Sequence, residues 1–200
     1  MSRFVFRVRN ALYIYVSLFR AIILYCWRFK KCGSAVTFGH LNRIIGYRYI
    51  EIGSNTSFGN NLCLEAVDKY GRSNYTPSIK IGNGVVINQD FHCTCAESVE
   101  IDDETSITAN CGVFDIIHPY EDIKVNPRDV ALQTNPIKIG KDCSIGMNTV
   151  ILPGTQIGNH CIVGAHSTVS GTFPDYSVIV GSLAKIIKKY NFELEKWIKV

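Results

Sequence analysis

Residues 139–173 read IGKDCS IGMNTV ILPGTQ IGNHCI VGAHST VSGTF, and their period decides the fold. Every sixth residue from Ile139 is aliphatic and β-branched: Ile139, Ile145, Ile151, Ile157, Val163 and Val169. Glycine follows four of them, at Gly140, Gly146, Gly158 and Gly164. Four residues after each aliphatic comes Cys143, Thr149, Thr155, Cys161, Ser167 and Phe173, small in every case but the last. A period of six is too short for a repeat built on helices. It suits a short strand and a corner, wound repeatedly into a solenoid. The aliphatic phase lines the interior, the small phase fits where the chain turns, and glycines and polar residues serve the corners. Successive coils then pair as parallel strands about 4.8 Å apart. A sandwich would alternate with period two, which this stretch does not keep.

Weaker copies extend upstream: Ile52-Gly53 leading to Phe58-Gly59, Ile81-Gly82 to Ile87, and Ile101 through Ile107 to Val113. Phe38-Gly39 and Ile44 stand at the start of the series, and insertions near 65–78 and 114–136 interrupt it. The expected fold is all-β, a parallel β-helix over residues 34–182, with a helix over 1–33 and a short helix over 183–200 capping the open end of the solenoid. The second helix is expected because Ile187, Tyr190, Leu194, Trp197 and Ile198 recur at roughly helical spacing.

Charge separates the ends of the chain. Residues 1–31 hold seven basic side chains and no acid, while the rest carries 14 basic against 17 acidic. The folded body therefore lacks the basic footprint of a nucleic-acid reader. Asn10 to Trp27 is apolar apart from Asn10, Ser17 and Arg20. Arg20 makes a membrane span costly, and bulky Tyr25 and Trp27 stand where a signal peptidase needs small residues. Two readings remain: a helix packed on a neighbouring subunit or on the end of the β-domain, and an interfacial helix at an anionic bilayer surface. The uniformly positive charge favours the second. Eight cysteines without any CxxC read as buried, reduced thiols at small positions rather than a disulfide framework.

His118, in Asp115-Ile116-Ile117-His118-Pro119, opens the polar, proline-containing excursion that ends near Ile137. Long loops on a repetitive scaffold carry function, and an imidazole suits general-base removal of a hydroxyl proton. A capping or surface histidine is the alternative. His40 and His160 fall at repeat corners, and His92 either lines the same cleft as Asn88 or faces solvent. His92, Cys93 and Cys95 do not make a metal set, because neighbours on a strand point to opposite faces.

Residues 137–187, IKIGKDCSIGMNTVILPGTQIGNHCIVGAHSTVSGTFPDYSVIVGSLAKII, resemble the C-terminal signature of the hexapeptide-repeat acyltransferases. They are most similar to the branch of galactoside and maltose O-acetyltransferases and the sugar O-acetyltransferases of polysaccharide assembly. The resemblance extends over roughly 36–190. It implies a left-handed β-helix with three six-residue turns per coil, a homotrimer, and acetyl-CoA as co-substrate, without a metal, in the groove between neighbouring prisms. It implies His118 as catalytic base and places Asn88 on the family's site asparagine. It assigns coenzyme A to Gly146-Met147, Gly164-Ala165, Lys185 and Lys188. The chain departs from the family where Ser144 replaces a frequent tryptophan, His166 a glycine, Leu183 a proline and Ser170-Gly171 a Thr-Lys pair. The implied activity is transfer of acetyl to a sugar hydroxyl in surface polysaccharide assembly. The donor chemistry implies the cytoplasm, with attachment to the inner membrane face through residues 1–31. Acetylation of serine or a drug, and an inert β-helix scaffold, are the alternatives. The zinc carbonic anhydrase built on the same helix fails, since His118 has no histidine partner before His160.

Overall fold

The computed structural model describes Val16, Phe19 and residues 21–200. From Lys31 onward the chain winds a left-handed parallel β-helix whose three faces are parallel sheets. The first face stacks strands 31–32, 50–52, 78–81, 98–101, 137–139, 156–157 and 172–173. The second stacks 37–38, 57–58, 86–87, 106–107, 144–145, 162–163 and 177–180, and the third 41–45, 62–66, 92–95, 112–114, 150–151 and 168–169.

The aliphatic phase is the core. Ile139, Ile145, Ile151, Ile157, Val163 and Val169 are all at most 3% exposed. Ile101, Ile139 and Ile157 register directly across three coils, as do Ile107, Ile145 and Val163. Three residues after each of the first five aliphatics the backbone turns the corner in the left-handed region. Asp142, Asn148, Gly154, His160 and His166 have φ between 53° and 79°. The small residue that follows is buried under the turn. Thr149, Thr155 and Ser167 donate their hydroxyls to the carbonyls of Gly146, Leu152 and Gly164 at 2.6–2.7 Å, so burial leaves no polar group unpaired there.

One repeat is shortened. A strict count of six puts Phe173 at the small phase. Instead it pairs with Ile157 and fills the aliphatic phase of the next coil, only four residues after Val169. Gly171, with φ 104°, provides the tighter corner.

The expected helix over 183–200 is corrected. Lys185–Asn191 runs antiparallel to 177–180, and Lys196–Lys199 pairs with it in turn, extending the second face. The open strand edge at 177–180 supplies ladder partners that a helix would leave unused. Tyr190 and Trp197 then face each other across the hairpin, rings 5.5 Å apart, with Tyr176 and Phe192 packed alongside.

The expected N-terminal helix falls largely outside the described residues. Within them, Val16 and Phe19 are helical, Ala21–Tyr25 forms a π-helical turn and Cys26–Arg28 a 3-10 turn. This segment caps the solenoid. Phe29 stacks on Phe38, which stacks on Phe58, and Tyr25 meets Phe38 edge-on. No helix among the described residues is long and apolar enough to cross a membrane.

Candidate active site

Asp115 anchors the excursion that carries His118. Its carboxylate is fully buried and accepts from the backbone N–H groups of Ala96, Glu97 and Ser98 at 2.8–2.9 Å. Its own N–H donates to the Thr94 carbonyl, and its carbonyl accepts from Asn135. The two ends of the excursion are therefore joined at one residue. Ile116–Ile117 and Gln133–Thr134 continue as an antiparallel stem. His118 follows the stem directly and is exposed, its ring edge-on to Tyr70 at 5.4 Å.

Tyr70 belongs to the earlier insertion, where Lys69–Tyr70 and Ser73–Asn74 form a small hairpin. The Tyr75 hydroxyl lies 2.7 Å from the N–H of Leu132 and 3.3 Å from its carbonyl, which ties this insertion to the excursion. A cleft of about 410 Å³ runs between them, flanked by Tyr70, Arg72, Arg128 and Asp129. The two interruptions of the repeat thus form one structure at the edge between the third and first faces.

Asn88 stands on a different edge. The residues that follow the second-face strands stack through ladder bonds: Gly59, Asn88, Thr108, Gly146 and Gly164, each N–H donating to the coil above. Val180 continues this column and pairs with Lys185 across the hairpin. The coenzyme candidates Gly146 and Gly164 and the candidate Asn88 therefore lie in one line along the edge between the second and third faces, with Lys185 at its end. A Cβ on Gly146 would overlap the backbone of Ala165, and one on Gly164 would come within 2.6 Å of Val180 Cγ1. Close coil packing alone thus demands these glycines, whatever they bind. Met147 and Ala165 are exposed just beyond the column. Lys188 is exposed on the same strand as Lys185, opposite Val178. The third face separates this column from His118 within one chain.

Cys93, Cys95 and Cys111 are poor nucleophiles. Burial pushes the thiols of Cys111, Cys93 and Cys95 upward, Cys93 well above the ordinary thiol range. Cys93 and Cys95 point into the core while His92 points out.

The sequence reading missed an outward cluster on the third face. Cys63, Glu65 and His92 bring their polar atoms within 4.8 Å of one another. The only sequence signal was the polar His92 and Thr94 alternating with inward cysteines. Its partners come from another coil, 27 to 29 residues away, at Glu65 and Cys63.

Comparison with known proteins fits this geometry. The bacterial transferase hexapeptide (six repeats) family model matches residues 136–171. The putative lipopolysaccharide biosynthesis O-acetyl transferase WbbJ of Escherichia coli K12 is 36% identical over 157 residues, spanning 75% of this chain and 76% of WbbJ. The chain belongs to the hexapeptide-repeat acetyltransferase family. The probable acetyltransferase Rv3034c of Mycobacterium tuberculosis is 34% identical over 118 residues, and the match spans only 39% of that longer protein. Among solved structures, AntD, an N-acyltransferase from Bacillus cereus in complex with dTDP and 3-hydroxybutyryl-CoA, superposes with a TM-score of 0.64 at 19% identity, over 89% of this chain and 92% of AntD. A maltose O-acetyltransferase from Clostridium difficile 630 superposes with a TM-score of 0.53 at 24% identity, over 82% and 71% of the two chains. At these identities the superpositions speak for the fold.

Proposed function

We propose that this member of the family transfers acetyl from acetyl-CoA to a hydroxyl of a sugar acceptor, with His118 as general base. The observation that carries this reading is the anchored position of His118, held by the buried Asp115 carboxylate at the base of a paired stem. A histidine with only a capping role would not need such a mount. The relation to WbbJ, whose name places it in lipopolysaccharide biosynthesis, supports a sugar acceptor.

In this reading the acceptor hydroxyl gives its proton to the His118 imidazole as its oxygen attacks the thioester carbonyl. The tetrahedral intermediate collapses, the imidazolium returns the proton to the departing thiolate, and coenzyme A leaves as the thiol. The N–H groups of Asn88, Thr108, Gly146 and Gly164 are all engaged in ladder bonds. The exposed Asn88 side-chain amide is assigned as a donor to the oxyanion or the acceptor. Acetyl-CoA lies along the glycine column, with Met147 and Ala165 beside the pantetheine. Lys185 and Lys188 meet the nucleotide phosphates.

His118 and the column occupy separate edges, so the site is completed between subunits of a homotrimer. The outward rows support side-by-side packing. On the first face Lys31, Glu51, Lys80, Glu100 and Lys138 alternate in register, a pattern suited to solvent. On the second, the row from Thr37 through Ser57, Val86, Ser106, Ser144 and Ile162 to Val178 carries no charge.

The test is acetyl-CoA consumption, followed by trapping the released thiol, with a panel of free, nucleotide-linked and lipid-linked sugars. Acceptor-dependent release and a base-labile acetyl ester on the sugar are expected. Coenzyme A binding without turnover of any sugar would overturn the acceptor class. Absence of coenzyme A binding would leave a scaffold.

A further inference from the structure

The outward cluster of the third face has a built geometry. Cys63, His92 and Gly112 lie in one row across adjacent coils, and Glu65, Thr94 and Phe114 in the next. Arg43 Nε holds Glu65 Oε1 at 3.0 Å. The other carboxylate oxygen lies 3.5 Å from His92 Nε2 and 3.4 Å from Thr94 Oγ1, which itself lies 3.3 Å from His92 Nε2. Gly112 has no Cβ, and one there would come within 2.5 Å of Phe114 Cε2. The Phe114 ring therefore folds back over the Gly112 position and meets the His92 ring edge-on, with centroids 5.4 Å apart.

The cluster differs from the charged row of the first face. There, lysines and glutamates pair across strands in solvent. Here the Glu65 side chain is only 17% exposed and His92 45%, beside an aromatic ring. A bound cation fits poorly. Arg43 already compensates Glu65, and burial together with the Glu65 charge pushes the Cys63 thiol up, away from the thiolate a metal takes. A hydroxyl-rich ring with one apolar face fits well. A carboxylate accepts from hydroxyls, an imidazole donates or accepts, and an aromatic ring covers the C–H face. The place fits too, because Phe114 immediately precedes Asp115, the residue that mounts the His118 stem.

We propose that Glu65, His92 and Phe114 form the subsite that binds the acceptor sugar ring and selects among acceptors. Arg43 orients the carboxylate, and His118 of the same subunit stands at the edge above. The proposal rests on the sugar O-acetylation reading and deepens it.

The experiment compares the full-length wild type with Glu65→Gln, His92→Gln and Phe114→Ala. It uses saturation-transfer NMR of hexoses, 6-deoxyhexoses and N-acetylhexosamines, coenzyme A binding by calorimetry, and acceptor kinetics. Each variant is expected to weaken sugar binding and raise the acceptor KM about tenfold or more, since a hydrogen bond to a charged group is lost or a ring contact removed. Coenzyme A affinity is expected to stay within about twofold, because the column is on another edge. Sugar binding and acceptor KM equal to wild type in Glu65→Gln and His92→Gln would overturn the subsite, even if His118→Ala is inactive. Sugar binding that depends on Glu65, in a wild type that acetylates no sugar, would support the subsite and overturn the activity reading.

Discussion

Asp115 explains why an exposed histidine on a long loop can have a defined position. Its carboxylate is the side-chain acceptor for the consecutive N–H groups of Ala96, Glu97 and Ser98. Replacing it by alanine leaves these donors unmatched beneath the stem. Each buried orphan costs about 1–3 kcal/mol. Asp115→Ala is therefore expected to lower stability by about 3 kcal/mol or more and to reduce turnover further than the stability loss explains. Asp115→Asn keeps one acceptor oxygen and should fall between. Urea unfolding alongside steady-state kinetics checks both, and an alanine variant as stable and active as wild type would remove the anchor from the mechanism.

At the scale of the element, the corner is the costly part of each repeat. Non-glycine residues in the left-handed region are strained by about 1–2 kcal/mol. His166 sits there with φ 58°, and its Nε2 lies 3.1 Å from Asn148 Nδ2. His166→Gly relieves the strain and loses one exposed contact. It is expected to leave stability unchanged or raise it by up to about 1 kcal/mol, whereas His166→Ile should lower it by at least as much. Thermal unfolding of the pair decides this, and an isoleucine variant as stable as the glycine would contradict the corner assignment.

The same corners show why most of the solenoid was legible. An aliphatic that must point inward and a small residue that must tuck under the turn leave a period of six, which neither helices nor sandwiches share. The shortened step from Val169 to Phe173 was not legible, because Phe173 also satisfies a count of six taken from a different phase. The hairpin 185–199 reads as a helix because the spacing of Ile187, Tyr190, Leu194 and Trp197 mimics one, while the pairing of Tyr190 with Trp197 depends on a turn and an open sheet edge. His118 was visible as the polar exception in a repeat. Its mount was not, since Asp115 bonds backbone from the preceding coil. The Glu65–His92 cluster was hidden for the same reason: parallel stacking brings together residues a full coil apart in sequence.

For the whole molecule, the proposed mechanism makes assembly part of catalysis, because His118 and the Asn88 column lie on separate edges of one chain. Trimers of His118→Ala alone and of Asn88→Ala alone should both be nearly inactive. Co-expressed and purified as mixed trimers, they should regain a measurable fraction of wild-type activity, because some interfaces pair an intact His118 with an intact neighbouring Asn88. Mixed trimers no more active than the separate variants would mean that the site lies within one chain.

Among the described residues near the N-terminus, Val16, Phe19, Ile23, Leu24 and Trp27 are exposed on the segment that caps the prism. Together with the seven positive charges of residues 1–31, this supports attachment to an anionic bilayer. Flotation with vesicles containing phosphatidylglycerol, lost in high salt and absent with neutral lipid, is the expected result. Equal recovery with neutral vesicles would argue against electrostatic attachment.

The measurement that bears most directly on the reaction is coenzyme A release by wild type and His118→Ala, with saturating acetyl-CoA and the acceptor that wild type uses best. General-base catalysis contributes about 10²–10⁴-fold. Loss of activity in that range, with coenzyme A affinity, acceptor binding and oligomeric state unchanged, is the predicted result. Turnover within a few-fold of wild type would contradict the assignment of His118 as the base.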